Sequence, residues 1–298
     1  MASTMTADTA ETDGLTIPGA THHRIDVGEL SLHYVEAGSG PLVILLHGFP
    51  EFWWSWRYQI PALAQAGFRV VAPDLRGYNL SDKPKDVASY GIDHLTGDVA
   101  GLIRALGQKK AHSVGHDWGG GVAWAFAMGE PTLVDRLAVL NCPHPAQMMR
   151  GLRTLQQLRK SWYMFFFQLP GLPERFVSAN DYDYLRRALR TAAPQDADVQ
   201  HYIEAARRAD RLHGGINYYR AMMRGVATGQ ASRFVPIETK TMVIWGEKDA
   251  FLGKEMADPG AKWVPGVRME WVPRATHWVQ IDAAERVNTL LVDFLRAS

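Results

Sequence analysis

A single cysteine, Cys142, occurs in 298 residues. That excludes an internal disulfide framework, the usual staple of small secreted proteins. Charge of one sign is missing as well: 32 lysines and arginines stand against 31 acidic residues, a formal net charge of +1. Such a balance gives no electrostatic footprint for nucleic acid or an anionic membrane. No stretch approaches the roughly 20 consecutive apolar residues that span a bilayer. The eleven histidines are scattered, without H-E-x-x-H or paired cysteines, so no metal-ligand set has a readable spacing and no metal or cofactor is expected. Met1–Thr16 has neither the basic start nor the apolar centre of a signal peptide. It reads as a disordered leader, residues 1–16. These absences predict a cytoplasmic protein whose partner is a small, largely uncharged molecule, with no nucleic acid and no membrane. They do not choose between monomer and homodimer.

What is present is ordinary globular material. Hydrophobic residues make up 47% and charged residues 21%, enough for a sizeable core at this length. Two amphipathic stretches, Arg24–Val27 and Leu30–Val35, predict an antiparallel start. The run Leu42-Val43-Ile44-Leu45-Leu46 is apolar throughout, as a strand buried on both faces requires. Further strands are expected at Phe68–Ala72, Ala111–Val114, Leu137–Leu140, Thr241–Trp245 and Arg268–Val272. Helical periodicity lies between them at Trp56–Ala66, Ile92–Leu106 and Trp118–Met128, and closes the chain at Ala283–Leu295. Alternating strand and helix predict a doubly wound α/β fold, a mostly parallel twisted sheet flanked by helices. Residues 146–232 break this rhythm with an aromatic and arginine-rich helical pattern. They read as a lid inserted into a core formed by residues 17–145 and 233–298.

In such sheets chemistry gathers at the carboxyl ends of the strands, and His47, Asp74, Asp117 and Asn141 all fall there. Gly115-His116-Asp117-Trp118-Gly119 has the form of a nucleophile turn between strand and helix, with aspartate in the place of serine. Serine must be deprotonated before it attacks. Aspartate, with an ordinary pKa of about 3.9, is already a carboxylate at neutral pH and can attack saturated carbon, leaving an ester for water to cleave. The expected substrate therefore carries a strained or leaving-group-bearing sp³ carbon. Asp249 and His277 follow later strands, giving the chain order nucleophile, acid, base. Asp249 would orient His277 through a ring nitrogen. The plain alternatives are an N-cap for Asp117, a surface turn for Asp249 and a satisfied structural histidine for His277. Asn141 occupies another position where an acid could stand, but an amide cannot serve as one.

The chain resembles the epoxide hydrolases of the α/β-hydrolase superfamily, from about His22 onward. The resemblance rests on His47-Gly48-Phe49-Pro50-Glu51, Asp74-Leu75-Arg76-Gly77-Tyr78, Gly115-His116-Asp117-Trp118-Gly119-Gly120 and Asn141-Cys142-Pro143-His144-Pro145. It implies two lid tyrosines that grip the epoxide oxygen, and the matching segments are Trp162-Tyr163-Met164 and Asn217-Tyr218-Tyr219-Arg220. By that pattern the pair is Tyr163 and Tyr219, with Tyr218 the neighbouring alternative. Two phenolic donors suit an opening epoxide, whose oxygen gathers negative charge. Backbone N–H groups of Phe49 and Trp118 would hold the later oxyanion, and His47 would shape their loop without acting as a base.

The implied partners are an apolar epoxide and water, and the implied product is a vicinal diol. Lid aromatics Trp162, Phe165, Phe166 and Phe167 suggest an apolar or aromatic substituent. Two positions depart from the family pattern. Asn79-Leu80 follows Gly77-Tyr78 where relatives often carry another glycine, and Met164 stands where some carry glutamine. A haloalkane or haloacid dehalogenase would use the same three reactive residues, but Phe49 lacks the side-chain amide and Trp118 replaces the arginine that those branches usually present. A catalytically idle small-ligand-binding protein is a further alternative that does not require all three.

Overall fold

The computed structural model describes residues 12–189, 196–228 and 234–297. Residues 1–11 of the expected leader and the expected boundary at 232/233 lie outside these. Inside them the leader ends earlier than expected. Asp13 accepts hydrogen bonds from the Trp53 indole at 2.8 Å and the Asn79 amide at 3.1 Å, and the Leu15 carbonyl lies 2.8 Å from His22 Nε2. A polar leader was expected to stay in water, but these partners give its carboxylate donors in the fold.

Among the described residues eight strands form one sheet in the order β1-β2-β4-β3-β5-β6-β7-β8. They are β1 (Ala20–Val27), β2 (Leu30–Ala37), β3 (Leu42–Leu46), β4 (Arg69–Pro73), β5 (Ala111–His116), β6 (Val134–Leu140), β7 (Thr241–Gly246) and β8 (Arg268–Val272). β1 and β2 pair antiparallel, as does β2 with β4, and the other pairings are parallel. Every residue of β3 is buried, because helices cover both faces of the sheet, and this is why the sequence there shows no alternation.

The core helices are α1 (Gln59–Gln65), α2 (Ile92–Ala105) and α3 (Trp118–Gly129). The first was expected to begin at Trp56. A short 3₁₀ turn, Trp53–Trp56, stands there instead. The reason is Pro61: a helix starting at Trp56 would place it in the interior, where it lacks an N–H and clashes with the preceding turn. Starting at Gln59 puts it in the first turn, where neither matters.

Among the described residues between β6 and β7 the helices are α4 (Pro145–Gly151), α5 (Leu155–Lys160), α6 (Trp162–Phe166), α7 (Leu172–Leu189, kinked where Ala179–Tyr182 leave helical geometry), α8 (Asp196–Arg208) and α9 (His213–Ala227). The fold closes with α10 (Val279–Asp282) and α11 (Ala284–Arg296). α11 lays Val287, Leu290, Leu291, Phe294 and Leu295 against the core, an apolar stripe at helical spacing.

Successive strands are added on one side of β3 up to β4 and on its other side from β5 onward, so the winding order reverses between the parallel neighbours β3 and β5, where Leu46 stands opposite Gly115. A crevice opens at such a switch point, beyond the strands' carboxyl ends. Here it brings the loop after Leu46 beside the turn after His116. The fit is close, since a Cβ on Gly119 would lie 2.1 Å from the Leu46 carbonyl oxygen.

Candidate active site

Asp117 sits at the tip of the β5-to-α3 turn with φ +48° and ψ −120°, a conformation that costs a non-glycine residue energy and is found where geometry is dictated by function. Its side chain makes no capping hydrogen bond to α3, so the N-cap reading does not describe it. Oδ1 accepts a hydrogen bond from the Phe49 N–H at 2.7 Å. Oδ2 lies 3.5 Å from His277 Nε2. The two oxygens are thus differentiated, one held by an amide and one facing an imidazole. Gly48 makes this possible: a Cβ there would lie 2.6 Å from Oδ1. The Trp118 amide, the other donor expected, opens α3 and makes no hydrogen bond to the Asp117 carboxylate.

On the far side of the imidazole, His277 Nδ1 lies 2.7 Å from Asp249 Oδ2. Asp249 follows β7 and is buried with a full set of donors. Oδ1 accepts from the amides of Phe251 and Leu252 at 2.7 and 2.9 Å. Burial alone would raise its carboxyl pKa, but the facing His277 and these hydrogen bonds outweigh that and lower it. His277 shows the complementary balance. Burial disfavours the imidazolium, yet the Asp249 and Asp117 carboxylates raise its pKa well above the ordinary value.

The two tyrosines come from different helices of the insertion, Tyr163 from α6 and Tyr219 from α9. Their rings meet edge to face with centroids 5.8 Å apart. Tyr219 also stands edge-on to Trp118 at 5.0 Å and Phe49 at 5.5 Å, directly beside the residues that flank Asp117. Tyr163 reaches Phe251, which in turn packs on His277. Burial, with the Asp117 charge among the causes, raises both phenols. They remain O–H donors at any working pH. Tyr218 is differently employed, because its hydroxyl donates to the Arg76 carbonyl at 3.1 Å. The adjacent alternative is therefore committed to the scaffold.

A model of the α/β-hydrolase fold family matches residues 41–284. Epoxide hydrolase 1 of Caenorhabditis elegans is 41% identical, with 91% of this chain and 69% of that protein aligned. The AB hydrolase superfamily protein YfhM of Bacillus subtilis is 40% identical over 91% of this chain and 96% of its own. The crystal structure of Bacillus megaterium epoxide hydrolase with an inhibitor superposes with a TM-score of 0.85 at 33% identity, covering 92% of this chain and 100% of that one. This chain is an epoxide hydrolase of the α/β-hydrolase fold.

For a member of the epoxide hydrolases, the structure adds residues that sequence reasoning quoted without assigning. Glu51 is buried, and its Oε2 accepts from the Gly48 amide at 3.0 Å and lies 2.8 Å from His116 Nδ1. Its Oε1 accepts from Gln280 at 3.0 Å. His116 Nε2 is 2.8 Å from the His277 carbonyl oxygen. Burial pushes the Glu51 carboxyl up, but His116 and the Gly48 amide overcome it and bring the pKa down to about 2. A negative charge therefore stands behind the Asp117 turn and, through His116, ties it to the backbone of His277. Asn141, considered only as a missing acid, donates to Asp249 Oδ2 at 2.8 Å and accepts from the Gly246 amide at 2.8 Å.

His47 is a structural residue. Its Nε2 accepts from the Leu75 amide at 3.0 Å and its Nδ1 lies 2.9 Å from the Gly48 carbonyl oxygen, while burial lowers its pKa. Asn79 takes φ +36°, the left-handed region that asparagine tolerates better than most residues. Among the described residues no helix is long and apolar enough to cross a membrane, and no group of three or more ligating side chains could hold a metal ion.

Proposed function

We propose that this epoxide hydrolase converts an apolar epoxide and water to a vicinal diol through an ester on Asp117. The observation that carries this reading is the unequal treatment of the Asp117 oxygens, one fixed by the Phe49 amide and the other left facing His277. Oδ2 attacks an epoxide carbon, the carbon–oxygen bond breaks, and the electron pair moves to the epoxide oxygen. Tyr163 and Tyr219 stabilise that oxygen as donors, and one gives it a proton.

Ester formation removes the Asp117 charge, which is one of the two carboxylates raising the His277 pKa. The imidazole then becomes a better base at neutral pH. His277 takes a proton from water, which attacks Cγ of the ester. The oxyanion forms on Oδ1, where the Phe49 N–H already points, with the Trp118 amide as the second donor of the proposal. Collapse breaks the Cγ–Oδ2 bond, the leaving alkoxide takes the proton held by His277 to give the diol, and the remaining hydroxyl proton on Cγ returns through solvent to the tyrosinate, restoring the Asp117 carboxylate. The aromatic walls of Phe49, Trp118 and Phe251 favour an apolar substituent on the epoxide. We place this reaction in the cytoplasm, where the lone Cys142 thiol, its pKa raised by burial, needs no partner.

Single-turnover hydrolysis of styrene oxide in heavy-oxygen water tests the route. Label should enter the peptide carrying Asp117 while the first diol released stays unlabelled. Label in the first diol alone would mean direct attack by water and would remove Asp117 as nucleophile.

A further inference from the structure

The balanced net charge conceals a segregation. Residues 146–232 carry 13 lysines and arginines against 7 acidic residues, so the insertion holds a formal charge of +6 and the remainder of the chain −5. Its acids are largely engaged. Glu174 pairs with Arg220 and His213, Asp181 with Arg186 and Arg207, Asp183 with Arg187, and Asp198 with Arg57 of the core. The uncompensated charge is positive.

Part of it is concentrated. Arg175, Arg211 and Arg224 line an open groove of about 500 Å³ together with Pro170 and Gly171. Among the described residues none of these three guanidinium groups has a side-chain hydrogen bond or ion pair. Of the acids lining the groove, Glu174 is paired as above and Asp210 is the other. Directly beside the groove, α6, the turn after it and the start of α7 present Trp162, Phe165, Leu169, Leu172 and Phe176, each between 42% and 50% exposed. Contacts through Phe166 join them, since its ring lies 6.0 Å from Trp162 and 5.3 Å from Phe176. Pro170 and Gly171 belong to both features.

Exposed apolar patches of this kind mark interaction surfaces. A symmetric dimer through this face would bring two arginine-rich rims together, which like-charge repulsion opposes. An anionic bilayer surface meets both halves: acyl chains and the headgroup boundary accept tryptophan, phenylalanine and leucine, and phosphate groups accept the arginines. We infer that the outer face of the helical insertion docks on anionic phospholipid membranes, with the exposed apolar side chains of α6, the turn after it and the start of α7 entering the interface and the Arg175–Arg211–Arg224 groove receiving a headgroup. The net charge of +1 averages over this asymmetry.

Co-sedimentation of the full chain with vesicles of phosphatidylcholine, with and without phosphatidylglycerol, tests the inference. The protein should pellet with the anionic vesicles and much less with the neutral ones. The triple variant Arg175→Ala, Arg211→Ala, Arg224→Ala should lose roughly a hundredfold in affinity for anionic vesicles, at about tenfold or less per arginine. Leu172→Ser with Phe176→Ser should weaken binding in high salt as well as low. Unchanged turnover of soluble styrene oxide by both variants certifies their folding. Absence of vesicle binding by the parent protein overturns the inference, as does binding that neither variant alters. A lipid-free dimer that Leu172→Ser with Phe176→Ser dissolves would make the face a self-interface and overturn it too.

Discussion

Asn141 and His277 share one oxygen of Asp249: the Asn141 amide donates to Oδ2 at 2.8 Å, and His277 Nδ1 lies 2.7 Å from the same atom. The other end of the Asn141 amide accepts from the Gly246 N–H, so one side chain fixes both the acid and the strand end that carries it. Asn141→Ala leaves the Gly246 amide without that acceptor and Asp249 with one donor fewer. Stability should fall by about 1–3 kcal/mol. Hydrolysis of the Asp117 ester should slow by roughly tenfold while ester formation changes little. Rapid-quench kinetics that separate the two steps check this, and an equal loss in both would show that Asn141 does not act through the base.

The tyrosines can be told apart by which step each variant damages. Tyr163→Phe and Tyr219→Phe each remove a donor from the developing alkoxide and should slow ester formation by roughly 10²–10³. Tyr218→Phe deletes only the bond to the Arg76 carbonyl. It should cost about 1 kcal/mol of stability and leave ester formation within a fewfold. If Tyr218→Phe proved the slower enzyme, the assignment of the pair would be wrong.

The raised pKa of His277 has a source that can be removed. Burial lowers it, and Asp249 and Asp117 together raise it. Asp117→Asn deletes one of those two charges, as the ester does. An NMR titration of the imidazole should therefore give a lower pKa in the variant than in the parent. Equal values would mean that the nucleophile's charge does not govern the base.

Glu51 predicts a dependence on acid. Its folded pKa, about 2, lies below the ordinary 4.5. The stability it contributes is therefore complete above the unfolded value and is lost as pH falls toward the folded one. Glu51→Gln cannot titrate. The stability gap between parent and variant, read from urea unfolding, should shrink by about 1 kcal/mol between roughly pH 7 and pH 4. A constant gap would place the role of Glu51 outside its charge.

Much of this molecule was legible because its signals are local. A fully apolar run such as Leu42–Leu46 announces a covered strand, and the Asp117 turn carries its own glycines. Tyr219 was harder, since choosing it over Tyr218 needs the Arg76 carbonyl, 142 residues away. The Glu51–His116 pair spans 65 residues, and nothing in either motif says that they meet. They do so because β3 and β5 are neighbours in the sheet, a fact of topology that no local pattern encodes. The docking of Asp13 on Trp53 and Asn79 is of the same kind, as a polar tail reads as solvated until its donors are in place.

Both proposed phenols hang from the stretch between β6 and β7, whereas Asp117, Asp249, His277 and Phe49 belong to the sheet and its loops. In the proposed route the two half-reactions therefore draw on different stretches of one chain. Warming that loosens the helices carrying Tyr163 and Tyr219 before the sheet gives way would stop the enzyme from acquiring its ester while leaving intact the machinery that discharges one. Thermal inactivation would begin as a failure to start, and an enzyme caught in mid-cycle would still finish.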